Sequence, residues 1–437
     1  MIRALFAGLL AIVLTSPALA AVEIKEVTSP GGIRAWLVEE HGIPFTALEI
    51  RFQGGASLDA PAKRGAINLM TATLEEGAGD LDSRGFAEAR EGLAASIRFD
   101  VHDDALSVSA QFLTENRDRG VALLKSALNE PRFDQEAVDR VKGQVQSIIA
   151  SDLKDPDKIA GRALDQLSYG DHPYATSLNG TSESLAALTR DDILDAKARV
   201  MARDRMFVSA VGDITEAQLG ALLDTLLGDL PATGAPMPPR ATVGLTGGVS
   251  IIDYASPQSV VAFSQPGISR DDPDFFPVFV LNQILGGSGF EARLMEEVRE
   301  KRGLTYGIST YLVTTDLADT WQGYVASANE KVAEAIDVIR AEWRRAAAEG
   351  VTQAELDAAK TYLTGSYPLR FDGNGPIADI LVGMQMQGLP VSYLANRNGY
   401  VDAVTLADVK RVAARWMNPD ALRFVVVGQP AGLAATD

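Results

Sequence analysis

One stretch of this chain is written twice. Residues 188–213, LTRDDILDAKARVMARDRMFVSAVGD, lie over 404–429, VTLADVKRVAARWMNPDALRFVVVGQ, at a constant shift of 216. Thr189 meets Thr405, Asp192 meets Asp408, Met201 meets Met417 and Gly212 meets Gly428. Each copy reads as a capped helix followed by a buried strand that ends at glycine. A fainter pair opens the copies: EIRFQGGASLDAP against VAFSQPGISRDDP, where Gln53, Gly55, Ser57 and Asp59 meet Gln265, Gly267, Ser269 and Asp271 at a shift of 212. Two matches in the same order at nearly one shift mean a module used twice, so the chain must build two similar cores.

Between the copies runs GDLPATGAPMPPRATVGLTGG, residues 228–248, with four prolines. Proline lacks the N–H that a helix interior or a central strand requires, so this segment reads as extended linker. The expected organisation is a first domain over 21–230, a linker over 231–241 and a second domain over 242–437. Inside the first copy, TALEIRFQGG predicts a strand and residues 63–76 a helix with Ile67, Met70, Thr71 and Leu74 inward. SRGFAEAREGLAA predicts a helix opened by Ser83. SIRFDV and ALSVSAQFL predict an antiparallel pair turning at Asp103 and Asp104. Helices are expected near 117–129 and 134–152, the second stopped by SDLKDPD. Hairpin-joined strands with runs of helices make an α+β fold, each domain a mainly antiparallel sheet packed with helices.

The first twenty residues, MIRALFAGLLAIVLTSPALA, carry one early cation, an apolar run of about a dozen residues and the triplet Ala18-Leu19-Ala20. They read as an export signal cleaved after Ala20, with the periplasm as the expected compartment. The run is short for a membrane span, and no other run approaches that length. The chain has no cysteine, so its stability must come from its core, for which 46% hydrophobic content is sufficient. A net charge of −18 argues against nucleic acid as a partner.

Residues 293–310, RLMEEVREKRGLTYGIST, place Arg299 and Tyr306 across the end of a predicted helix and the start of a strand. Leu294 and Val298 sit one turn apart, and Gly303 offers the left-handed conformation that closes a helix. Leu304, Tyr306 and Ile308 then alternate as in a strand. A guanidinium and a phenol on rigid elements can together hydrogen-bond a carbonyl and the oxyanion it becomes. A surface helix whose arginine pairs with a neighbouring glutamate has the same spacing. The longer run LGGSGFEARLMEEVREKRGLTYGIST resembles the second-domain signature of the pitrilysin, insulysin and mitochondrial-processing-peptidase family of zinc peptidases, the inverzincins. The resemblance implies that Arg299 and Tyr306 hold the peptide and stabilise the tetrahedral intermediate. It also implies two domains facing each other as half of a clam-shell chamber.

The metal chemistry of that family is missing. Its motif sets H-x-x-E-H on one helix, with a glutamate on a later helix completing the zinc site. This chain has three histidines, His41, His102 and His172, none with a second at helical spacing. Aligned on the resemblance, Asn68, Thr71 and Ala72 stand where the two histidines and the general base belong, and Ser147 falls near the third ligand. Glu75 and Glu76 are adjacent on a helix and diverge, so they read as a solvated helix end, and His172 reads as loop architecture. No G-x-S-x-G elbow and no phosphate loop occurs.

The resemblance therefore implies the non-zinc-binding member of a divided peptidase. Such a chain binds no cofactor and no metal of its own. Its expected partner is a zinc-bearing homologous subunit, in a hetero-oligomer that takes peptide substrates, and Arg299 and Tyr306 act in trans. A peptide-binding or structural scaffold without hydrolytic role is the alternative, and a hydrolase acting alone is the third.

Overall fold

The computed structural model describes residues 23–287, 289 and 291–436, so the segment read as an export signal lies outside the described residues. The first half contains β1 (Lys25–Thr28), β2 (Arg34–Glu39), β3 (Phe45–Gln53), the short pair β4 (Gly77–Ala78) and β5 (Leu81–Asp82), β6 (Ser96–Val101), β7 (Ala105–Leu113) and β8 (Met206–Gly212). The second half contains β9 (Gly248–Asp253), β10 (Gln258–Pro266), β11 (Thr305–Thr314), β12 (Asp319–Ala328) and β13 (Arg423–Gly428). The sheets run β1-β2-β8-β3-β7-β6 and β11-β12-β10-β13-β9. With β1 set aside and one sheet read backwards, the two orders coincide. Each has one parallel pair, β2 with β8 and β13 with β9, and antiparallel neighbours elsewhere. The repeat seen in the letters is a repeat of topology.

Helices cover one face of each sheet. In the first half they are α1 (Ala66–Thr73), α2 (Ser83–Gly92), α3 (Arg117–Asn129), α4 (Gln135–Asp152), α5 (Pro156–Tyr169), α6 (Ser182–Ala187), α7 (Arg190–Val200) and α8 (Glu216–Leu227). The second half has α9 (Phe275–Gly286), α10 (Val332–Glu349), α11 (Gln353–Ser366), α12 (Asn374–Met386), α13 (Tyr393–Asp402) and α14 (Leu406–Trp416). Alternation along β7 sends Leu106, Val108, Ala110 and Phe112 into a core with Leu124, Leu128 and Leu223. In the second sheet Val261, Phe263, Trp321 and Phe424 meet Ile336, Ile339 and Trp343 in the same way.

The opposite faces are covered by exchange. α5 leaves the first half and lays Ala160 and Leu164 on Val260, Ala262, Val425 and Val427 of the second sheet. α12 returns the arrangement, setting Ala378 and Leu381 against Ala47 and Val211 of the first. This explains why β13, RFVVVG, is buried at every position instead of alternating: both its faces are covered.

The hairpin β6–β7 and helix α3 form where the sequence predicts them. Three expectations change. The helix expected over 63–76 begins only at Ala66, because Gly65 is left-handed and the Asp59 carboxylate accepts the Gly65 and Ile67 N–H groups, both at 2.8 Å. α2 is capped by Asp82, which accepts from Gly85 N at 2.8 Å, whereas Ser83 donates to the Glu76 carbonyl at 2.9 Å. SDLKDPD stops one helix and also opens the next, since Pro156 is the first residue of α5 and Asp155 caps it.

Residues 231–246 contain no helix or strand. They are nonetheless tied down: Ala235 N donates to Arg199 O at 2.9 Å, Ala241 N to Leu317 O at 2.8 Å and Gly244 N to Ser168 O at 2.9 Å. Among the described residues no helix is long and apolar enough to cross a membrane.

Candidate functional site

Leu294 and Val298 are fully buried and anchor the turn that carries Arg299. Instead of the expected α-helix, Met295–Glu300 is π-helical, a wider winding often found at functional positions. Its outer side is stiffened by Glu297, which accepts from Lys301 Nζ at 2.8 Å and from Arg302 Nη1 at 2.7 Å. The hydrogen bonds from Lys301 and then Arg302 hold the Glu297 carboxyl below the usual carboxylate range. Gly303 takes φ 60°, and the chain doubles back: Gly303 N donates to Arg299 O at 2.8 Å and Leu304 N to Val298 O at 2.9 Å. Arg299 and Tyr306 thus flank one reversal of the chain, the first on its helical arm and the second on its strand arm.

The strand arm departs from simple alternation. Thr305 pairs with Ser327 but Ile308 pairs with Val325, so β11 carries one residue more than β12 across this step. That bulge buries Leu304 and Ile308 and turns Tyr306 outward until it is 90% exposed. Thr305 fixes the bulge, donating its hydroxyl to Ala326 O at 2.6 Å and accepting Gly307 N at 3.1 Å. The phenol borders a cavity of about 580 Å³ lined also by Gln258, Gly289, Met295, Tyr324 and Ala326. The Arg299 side chain is 33% exposed, and its Nη1 lies 3.5 Å from Glu300 Oε1. Both groups therefore reach solvent on the edge strand of the second sheet and the turn before it.

The place of the zinc motif is built differently. α1 packs against α4 and α7. On it Asn68 donates to Asn179 Oδ1 at 2.8 Å, Thr71 is buried and donates to Ile67 O at 2.8 Å, and Ala72 is exposed. Ser147 on α4 is exposed and donates to Gly143 O at 2.9 Å. An amide, a hydroxyl committed to the backbone, a methyl and a serine do not make a zinc donor set, which needs imidazole, thiolate or carboxylate. These residues do not fit the metal, and no group of three or more His, Asp or Glu side chains placed to hold one occurs among the described residues. Glu75 and Glu76 are each engaged by an arginine, Arg90 and Arg140.

None of the histidines joins a metal-binding group among the described residues. His41 Nδ1 is 2.7 Å from Asp213 Oδ1. His172 accepts Tyr174 N through Nδ1 at 3.2 Å, which leaves Nε2 protonated to donate to Pro239 O at 3.0 Å. His102 is exposed and hydrogen-bonds through its backbone at the β6–β7 turn. The sequence reading gave Tyr174 no role. It is one of the residues through which the halves meet: its hydroxyl donates to Asp104 and accepts Leu317 N at 3.1 Å.

Two modules of one topology, residues unable to bind zinc at the motif position of the first and an Arg–Tyr turn in the second agree with the resemblance to the inverzincins. Residues 187–363 match the family model described as Peptidase M16 inactive domain. The chain is 27% identical over 390 residues to the non-peptidase homolog YmxG of Helicobacter pylori, covering 89% of this chain and 90% of that one. It is 22% identical to the mitochondrial-processing peptidase subunit beta of Blastocladiella emersonii, with 91% and 87% covered. Among solved structures, a peptidase M16 inactive domain from Pseudomonas fluorescens superposes with a TM-score of 0.86 at 28% identity, covering 95% of this chain and all of that one. Across about nine-tenths of its length the chain is thus similar to non-peptidase and peptidase members of this group, and residues 187–363 match the inactive-domain model.

Proposed function

We propose that this chain is a non-zinc-binding M16-type subunit that completes the peptide chamber of a zinc-bearing homologue in the periplasm. The observation that carries the reading is an asymmetry. The first module lacks any donor set for zinc at the motif position, while the second keeps Tyr306 extended into solvent beside a cavity and Arg299 on the preceding turn. Among the described residues of this chain no metal-binding group stands for those two side chains to serve. Set against a partner's metal site, they would donate hydrogen bonds to the scissile carbonyl and the oxyanion that forms from it.

What the residues of this chain contribute is positioning. The π-helical turn fixes the root of Arg299, and the bulge holds Tyr306 outward before any substrate arrives, so little reorganisation accompanies the reaction. Mixing the purified chain with a zinc-bearing homologue from the same organism tests the reading. Cleavage of a peptide by the mixture and not by this chain alone supports it. Cleavage by the homologue alone at the same rate refutes it.

A further inference from the structure

A second cavity, of about 300 Å³, lies where the halves join, between β3, α9, α12 and α13. Four arginines line it, Arg51, Arg270, Arg370 and Arg397, with Asp379 as the sole carboxylate. In a chain carrying 58 acidic and 40 basic side chains, that local excess of cations runs against the whole. Asp379 is taken by Arg51 Nη2. Among the described residues no carboxylate pairs with the other three.

The arginines are held in place by rings. Arg270 sits between Phe275 and Tyr393, its Cζ 5.2 and 5.5 Å from their centroids. Arg397 sits between Tyr367 and Phe279, at 4.5 and 5.5 Å. Arg397 is 8% exposed and donates to Leu363 O at 2.6 Å, while Arg270 donates to the Tyr393 hydroxyl at 2.9 Å. Nε of Arg270 is buried with no hydrogen-bond partner among the described residues. Burial first, and then the charges of Arg370 and Arg270, lower the pKa of Arg397. Stacking explains how each guanidinium is fixed. It does not explain why three cations gather without a counter-charge, an arrangement that costs free energy until an anion enters.

We infer that this cavity binds an organic carboxylate carrying an aromatic or apolar body, with Arg270, Arg370 and Arg397 receiving the carboxylate. A guanidinium edge matches a carboxylate with two parallel hydrogen bonds. Ile380, Met384 and Leu389 supply an apolar wall for the body, and the volume suits one ring or one side chain. The same chemistry is offered by a free aromatic acid and by the C-terminal residue of a peptide. The cavity shares Arg51, Arg270, Asp379, Gly383 and Gln387 with a larger cleft of about 520 Å³ between the halves, through which either could reach it.

Titration calorimetry on the intact chain tests this with phenylacetate, a pentapeptide ending in phenylalanine, the same peptide as its C-terminal amide, and inorganic phosphate. Saturable binding of phenylacetate or the free-acid peptide is expected, weakened at least tenfold by Arg270→Gln and by Arg370→Gln, the second an exposed rim residue whose loss leaves the fold intact. Arg119→Gln, exposed on α3, should change nothing. Tighter binding of the acid peptide than of phenylacetate assigns the site to peptide ends, and the reverse order assigns it to free acids. Absence of binding by both carboxylates, amide binding equal to acid, phosphate binding as tight as phenylacetate, or affinity unchanged in both arginine variants overturns the inference.

Discussion

Asp104 of the first module and Asp316 of the second touch: Asp104 Oδ2 accepts the backbone N–H of Asp316 at 3.1 Å. Each lies in the turn of its module's β-hairpin. The two hairpins meet turn to turn, and Gln53, the first of the repeated glutamines, adds a bond to Asp316 Oδ2 at 2.7 Å. The β6–β7 and β11–β12 turns thus form part of the junction between the modules.

That contact makes Tyr174 a test of the junction. Tyr174→Phe removes the hydroxyl that Asp104 accepts and strands the buried Leu317 N–H. We expect a loss of about 1–3 kcal/mol in denaturant unfolding. A variant as stable as the parent would show that the junction does not depend on this hydroxyl.

Arg299→Ala and Tyr306→Phe should leave the stability of the chain and its assembly with a zinc-bearing homologue unchanged. Turnover of the mixture should fall roughly a hundredfold for each, about 2.7 kcal/mol of barrier. Peptide cleavage assays on the mixture measure this, and full activity in both variants removes these residues from the proposed role.

Asp165 on α5 has no hydrogen-bond or ion-pair partner among the described residues, and burial, then the charge of Asp103, pushes its carboxyl up to about 7. The folded chain therefore holds a proton that the unfolded chain has already lost between about pH 4 and 7. Stability from this group falls as pH rises through that window and stays low above it. Asp165→Asn should raise stability at pH 8 by roughly 1–3 kcal/mol, allowing for partial solvent screening, and leave it unchanged near pH 4. Equal effects at both pH values would contradict the assignment.

Leu164→Ala and Leu381→Ala each empty a buried position on a helix that crosses to the other half's sheet. Each should cost about 2–4 kcal/mol. Both should lower one shared unfolding transition in calorimetry. Two separate transitions, only one moved by each variant, would mean that the halves unfold independently.

Chelation should leave the melting temperature of the isolated chain unchanged, because Asn68, Thr71, Ala72 and Ser147 offer no donor set for zinc. Stoichiometric zinc in the purified chain, lost together with stability on chelation, would overturn that expectation.

How much could be read from the letters depended on how local the cause was. The β6–β7 hairpin and α3 were legible because alternation, helical spacing and the Asp103-Asp104 turn all lie within a few residues. α5 was not, since its apolar residues answer a sheet about a hundred residues further on and Pro156 looks like a stop. Arg299 and Tyr306 were singled out by resemblance, but the outward turn of Tyr306 comes from a register step between β11 and β12 that no single strand encodes. The arginine cavity left no trace in the sequence, for its cations come from a strand, a loop, a single 3₁₀ turn and a helix.

The crossing of α5 and α12 has a further consequence. Were the backbone nicked between residues 231 and 241, the fragments would remain clasped, each still supplying the helix its neighbour is missing. Expressed separately, either fragment would display an uncovered apolar sheet and an orphan helix, and should recover its structure only when the other is added.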